Sequence, residues 1–215
     1  MILGVSVSWW QKGFKSIMKN IVVGITGASG SIYGLRLVEE LLRAGKQVTV
    51  LLTNAGRQVT EFETGLVLAE EPQQCLDQLK EHFKVDSGLK YYALNNFFAP
   101  VASGSSAPDA VVICPCSMGT LGRIAAGLSD NLLERVSDVA LKEQKKLLLV
   151  PRETPFNQIH LENLLRLSKV GAQILPAMPG FYHQPATVAD LVDFVVGKVL
   201  DSLGVEHQLF KRWGS

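Results

Sequence analysis

The chain has 215 residues, 47% of them hydrophobic and 19% charged, which is enough for one domain with a sizeable core and too apolar for a disordered chain. Lys and Arg number 21 against 20 Asp and Glu, a formal net charge of +1, so no overall field draws the protein to nucleic acid or to an anionic membrane. Three cysteines, Cys75, Cys114 and Cys116, make no disulfide framework and point to a reducing, cytoplasmic setting, and no apolar run reaches the roughly 18–20 residues of a membrane span.

The opening "MILGVSVSWWQKGFKSIMKN" is apolar first and basic afterwards, the reverse of a secretory signal. Residues 1–17 read as an added arm and residues 18–215 as the single domain; a start at Met18 would also leave a sensible domain. "NIVVGITG" is β-branched and uncharged, the pattern of a strand buried on both faces. "SIYGLRLVEELLRAG" follows as a helix, with Ile32, Leu35, Leu37, Val38, Leu41 and Leu42 on its apolar face and Gly45 as its stop. "QVTVLLT" reads as a second strand, and "NAGRQVTEFETG" as a helix capped by Asn54. After this βαβα start, "PQQCLDQLKEHF" is helical and "LKYYALNNFFAP" a short strand or loop. Strand, turn, two helices and strand run through "PDAVVICPCSMGT" to "KLLLVPRE", and a helix, a short strand and a last helix opened by Thr187 complete the chain. The alternation predicts a doubly wound parallel α/β sheet.

The glycines of "ITGASGSIYG" fit neither usual phosphate fingerprint. No Lys follows as in a Walker A loop, and Gly27, Gly30 and Gly34 are spaced by three and four residues rather than as G-x-G-x-x-G. A tight turn at a strand end remains, with the amides of the next helix start facing outward as an anion site and Ser29 and Ser31 as added donors. The "CPCSMGT" turn ends another strand and should face the same crevice. Cys114 and Cys116 lack a Cys/His partner pair at ligand spacing, so no metal is expected and the thiols read as buried packing groups. Arg135 and Lys142 lie seven residues apart on one helix face, by themselves no more than a solvated charged stripe. Arg152 and Glu153 follow a buried strand directly, where an Arg suits a phosphate and a carboxylate suits proton transfer.

Together "GITGASGSIYGLRL", "ASGSSAP", "CPCSMGTLGRIAAG", "NLLERVSDVALKE", "LVPRETPF", "IHLENLLRLS" and "PGFYHQP" resemble the UbiX-type flavin prenyltransferases, from about residue 21 to residue 213. The resemblance implies flavodoxin-like or Rossmann-like subunits in a homododecamer, with active sites built from neighbouring chains, that join the dimethylallyl group of dimethylallyl phosphate to reduced FMN, without a metal, for use by a partner UbiD-type decarboxylase. It implies FMN contacts at Gly27, Ala28, Ser29, Thr53, Ser117, Met118, Gly119, Thr120 and Arg135. It implies a donor site of Lys142, Arg152, Glu153, Tyr182, Lys198 and Trp213, and a catalytic set of Ser29, Glu63, Lys142, Arg152 and Glu153. Glu63 with Ser29 would relay a proton at the flavin, and Glu153 would exchange one with the phosphate. Phe97 or Phe98 stands where the family often has Trp, and Lys198 where some members have Arg. Two other readings share the glycine loops: an FMN-dependent cysteine decarboxylase of the phosphopantothenoylcysteine type, against which "VPRETPF" argues, and a flavin-binding protein without turnover, which has no reason to keep Lys142, Arg152, Glu153 and Tyr182 together.

Overall fold

The computed structural model describes residues 18–214, so the proposed arm at residues 1–17 lies outside the described residues. Among the described residues, six strands form one parallel sheet: Asn20–Ile25 (β1), Gln47–Leu52 (β2), Leu89–Tyr91 (β3), Ala110–Cys116 (β4), Lys146–Pro151 (β5) and Gln173–Ile174 (β6). Their order is β3-β2-β1-β4-β5-β6, the Rossmann arrangement of the two expected doubly wound patterns. Charge-free, β-branched runs form the centre because both sheet faces are covered, and every residue of β4 is buried.

The helices are Ser31–Arg43 (α1), Asn54–Thr64 (α2), Pro72–Phe83 (α3), Met118–Ala125 (α4), Leu132–Lys142 (α5), Gln158–Lys169 (α6) and Val188–Leu203 (α7). The two-residue period of β1 sends Ile21, Val23 and Ile25 into one core with Leu35, Val38 and Leu41 of α1, Leu79 of α3 and Val196 and Leu200 of α7. Val22 faces a second core with Leu121 of α4, Leu133 and Val136 of α5 and Leu167 of α6. Gly24 lets α5 approach the sheet closely: a Cβ there would stand 2.5 Å from Leu133 Cδ1.

Two local expectations change. Ile32 is 43% exposed, because α1 buries the stripe of Ser31, Gly34, Leu35, Leu37, Val38 and Leu41, and Ile32 lies one residue beyond its first member. The cap of α2 is Thr53, one residue before Asn54: its backbone is extended and its hydroxyl accepts from Gly56 N at 2.9 Å, so Asn54 is already helical.

The crossover also fixes which end of the sheet each charged group occupies. Lys142 closes α5 just before β5 begins at Lys146, whereas Arg152 directly follows Pro151 at the other end of β5. A six-residue strand separates them, on the order of 20 Å along the strand direction.

Candidate functional site

The strand order reverses between β1 and β4, and the crevice of a doubly wound sheet opens above their carboxyl ends. A single buried hydroxyl joins the two loops there. Thr26 Oγ1 donates to Pro115 O at 2.8 Å and accepts from Ser117 N at 2.8 Å. The glycine loop at Gly27, Ala28 and Ser29 is thereby locked to the "SMGT" turn, where Ser117 caps α4 by accepting from Thr120 N at 3.3 Å and donates to Thr120 Oγ1 at 3.0 Å. Thr26 had not been singled out, although a lone hydroxyl residue at the end of an apolar strand was a readable sign. Gly27 is a glycine because α2 crosses tightly above it: a Cβ would stand 2.5 Å from the Cβ of Ala55, the second residue after Thr53. Gly119 has open space where its Cβ would stand, so the floor of the crevice there is bare backbone in the first turn of α4. Gly27–Ser29, Thr53 and Ser117–Thr120 thus share one crevice, with Ala28 and Met118 turned into the core.

The start of α1 differs from the expected anion site, because the anion it holds is the protein's own Glu63. Gly30, at φ 107°, and Ser31 donate their amides to the carboxylate at 2.9–3.0 Å, and Ser31 Oγ donates at 2.7 Å. Burial pushes the Glu63 carboxyl up, but hydrogen bonds from the Ser29 and Ser31 hydroxyls and from the two amides outweigh it, and its pKa lies below the usual glutamate value. A depressed folded pKa adds stability above the ordinary carboxylate range that is lost as pH falls through the folded value. Melting temperatures measured across acidic pH should therefore fall more steeply for the wild type than for Glu63→Gln, whose amide cannot titrate; parallel curves would show that the cap contributes nothing.

At the end of β5, Arg152 Nε donates to Ser29 O at 2.9 Å, leaving the rest of the guanidinium on the rim of the glycine loop. Glu153 accepts from Thr154 N at 3.0 Å, and among the described residues Arg152 and Glu153 form no ion pair with each other. Below the "SMGT" turn both thiols are silent, as expected. Burial first, then the nearby Cys116, pushes the Cys114 thiol far up, and burial pushes Cys116 up to about 12. No cluster of His, Cys, Asp or Glu able to hold a metal occurs among the described residues.

Arg135 and Lys142 are not brought to this crevice within one chain. Arg135 Nε donates to Ala102 O at 3.1 Å and its guanidinium pairs with Asp138 at 3.0 Å, while Lys142 pairs with Glu143. A Cβ on Gly104 would stand 2.8 Å from Lys142 Nζ, so the "ASGSSAP" loop lies along the same side of α5. Phe97 and Phe98, 44% and 100% exposed, belong to the same loop segment. Within one chain the clamp of Lys142 with Arg152 and Glu153 is therefore split, since Lys142 closes α5 just before β5 begins and Arg152 follows the other end of that strand.

The third group, Tyr182, Lys198 and Trp213, does assemble. Tyr182 meets Trp213 edge to face with centroids 5.3 Å apart and meets Phe194 at 5.6 Å. The Lys198 ammonium lies 5.7 Å from the Phe194 ring centre and 5.3 Å from that of Phe210.

The family described as Flavoprotein matches residues 13–200. "Flavin prenyltransferase UbiX" of Alkalihalophilus pseudofirmus is 55% identical over 92% of this chain and 98% of its own length. Among solved structures, AnUbiX (PadA1) in complex with FMN and dimethylallyl pyrophosphate superposes with a TM-score of 0.82 at 34% identity, over 92% of this chain and 98% of that one. A dodecameric FMN-dependent Ubix-like decarboxylase from Escherichia coli O157:H7 gives 0.81 at 36% identity, over 91% and 100%.

Proposed function

This chain belongs to the flavoprotein family and, within it, to the UbiX-type flavin prenyltransferases, and from that premise we propose how its residues divide the work of joining a dimethylallyl group to reduced FMN. The observation that carries the proposal is the bond from Arg152 to Ser29 O, which sets a guanidinium suited to phosphate on the rim of the glycine loop.

The bare backbone at Gly119, beside the glycine loop and the starts of α2 and α4, suits a mononucleotide with one phosphate. Gly27, Ala28, Ser29, Thr53 and Ser117–Thr120 would hold FMN. Reduced FMN, when bound, supplies the electron-rich ring that accepts the dimethylallyl group.

Dimethylallyl phosphate would sit above it, its phosphate held by Arg152, Tyr182 and Lys198. As the carbon–oxygen bond breaks, the electron pair leaves with the phosphate, and preorganised cations stabilise that charge without a metal. Glu153 holds or supplies the proton at the phosphate oxygen. Trp213 narrows access of water to the allyl cation. Glu63, ionised and hydrogen-bonded to Ser29, is the base at the floor of the crevice. Lys142, at the far end of the sheet in its own chain, and Arg135, on the same face of α5, reach the site of a neighbouring copy in a homo-oligomer, for which the dodecameric relative supplies the precedent. Prenylated FMN would then pass to a UbiD-type decarboxylase in the cytoplasm. No helix among the described residues is long and apolar enough to cross a membrane.

Incubation of the protein with reduced FMN and dimethylallyl phosphate under anaerobic conditions, followed by mass spectrometry of the flavin, should show one added prenyl group. Unchanged FMN with both the monophosphate and the pyrophosphate donor would refute the assignment.

A further inference from the structure

We propose that Gly197 and Asp201 are positioning residues for the prenyl donor, because one stripe of α7 docks the C-terminal tail and so fixes Trp213 and the surroundings of Lys198. The inference rests on the donor-site role of Tyr182, Lys198 and Trp213 proposed above. Phe194, Gly197, Lys198 and Asp201 follow the i, i+3, i+4, i+7 spacing of a single helix face. The chain reverses after α7 at Gly204, whose φ is +69°, and residues 205–213 return along that face.

Each member of the stripe meets the tail differently. Phe210 packs on Phe194 with centroids 5.1 Å apart and forms, with Phe194, the aromatic surface under the Lys198 ammonium. At Gly197 the tail lies where a side chain would be: a Cβ would stand 2.4 Å from Phe210 Cε1 and 2.7 Å from His207 Cε1. Asp201 fastens two points of the tail. His207 Nδ1 accepts from Leu209 N at 3.2 Å, so the ring proton is on Nε2, which donates to Asp201 Oδ1 at 3.2 Å. The Arg212 guanidinium donates to Oδ1 at 2.8 Å and to Oδ2 at 3.4 Å. Residue 213, next to that anchored Arg, carries the indole that meets Tyr182. Among the described residues the side-chain hydrogen bonds and ion pairs of Asp201 and the close approaches of Gly197 run to His207, Phe210 and Arg212, so both act on Trp213 through the tail.

The test compares Gly197→Ala, Asp201→Asn and Tyr182→Phe for FMN occupancy, melting temperature, kcat and KM for dimethylallyl phosphate. Alanine is the better helix former, so a purely local role for residue 197 would leave the melting temperature equal or higher and the kinetics intact. Docking of the tail instead requires that both α7 variants keep FMN and raise KM for the donor by about tenfold. Combining Asp201→Asn with Trp213→Ala should add little to Trp213→Ala alone, since one acts through the other. If Tyr182→Phe raises KM while neither α7 variant does, the docking role is wrong and the donor site stands. If Tyr182→Phe also leaves KM unmoved, the donor site falls and the docking role with it.

Discussion

Arg152→Ala is expected to lower kcat/KM for dimethylallyl phosphate by roughly 10²–10³-fold while FMN remains bound. Removing a guanidinium from a desolvated phosphate takes away a charge-assisted donor whose partner charge grows as the carbon–oxygen bond breaks, so the loss appears in the transition state. FMN should stay because the loop keeps its other fastenings, Thr26 to the "SMGT" turn and Glu63 to Gly30 and Ser31. Arg152→Lys should fall in between, keeping the charge and losing the fork. Glu153→Gln should bind the donor nearly as well and lower kcat by about 10², since the amide has the shape of the acid and no proton to exchange. A structural reading, in which Arg152 and Glu153 merely neutralise each other at a strand end, has no contact to rest on: Arg152 bonds to Ser29 O and Glu153 to Thr154 N. Normal turnover of both variants at saturating donor, with lowered melting temperatures, would nevertheless restore it.

Much of this was legible in the sequence because the elements that build the crevice are local. An uncharged β-branched run followed by glycine and an amphipathic helix specifies a strand, a tight turn and a helix within some 20 residues, and the loops at Gly27 and Ser117 had to meet once the alternation implied a parallel sheet. Choices between equivalent groups were not legible. Thr53 and Asn54 can both cap a helix, and only the extended backbone at residue 53 decides. The occupant of the α1 start was hidden for a different reason: Glu63 is 32 residues from Ser31, and no local pattern announces that a carboxylate will reach an amide pair across that distance. The α7 stripe was written in plain helical spacing, yet it reads as ordinary amphipathicity until the tail is seen to return over it. The seven-residue interval between Arg135 and Lys142 established a shared helix face and left open which end of the sheet that face reaches.

Lys142→Ala should reduce kcat/KM about 10²-fold although Lys142 stands on the order of 20 Å from Arg152 in its own chain, because the ammonium serves a neighbouring copy. A residue that acted only through its own chain would, at that exposed position, cost little beyond its pairing with Glu143. Each site then draws its glycine loop and Arg152 from one copy and Lys142 from another, so defects in the two halves are separable between subunits.

The direct measurement is to co-express Lys142→Ala and Arg152→Ala chains carrying different affinity tags, isolate oligomers that contain both, and measure prenylation of FMN. Random mixing leaves about a quarter of the sites with both groups intact, so activity should recover toward a quarter of wild type from two nearly inactive parents. Mixed oligomers no more active than either parent would contradict a site shared between copies.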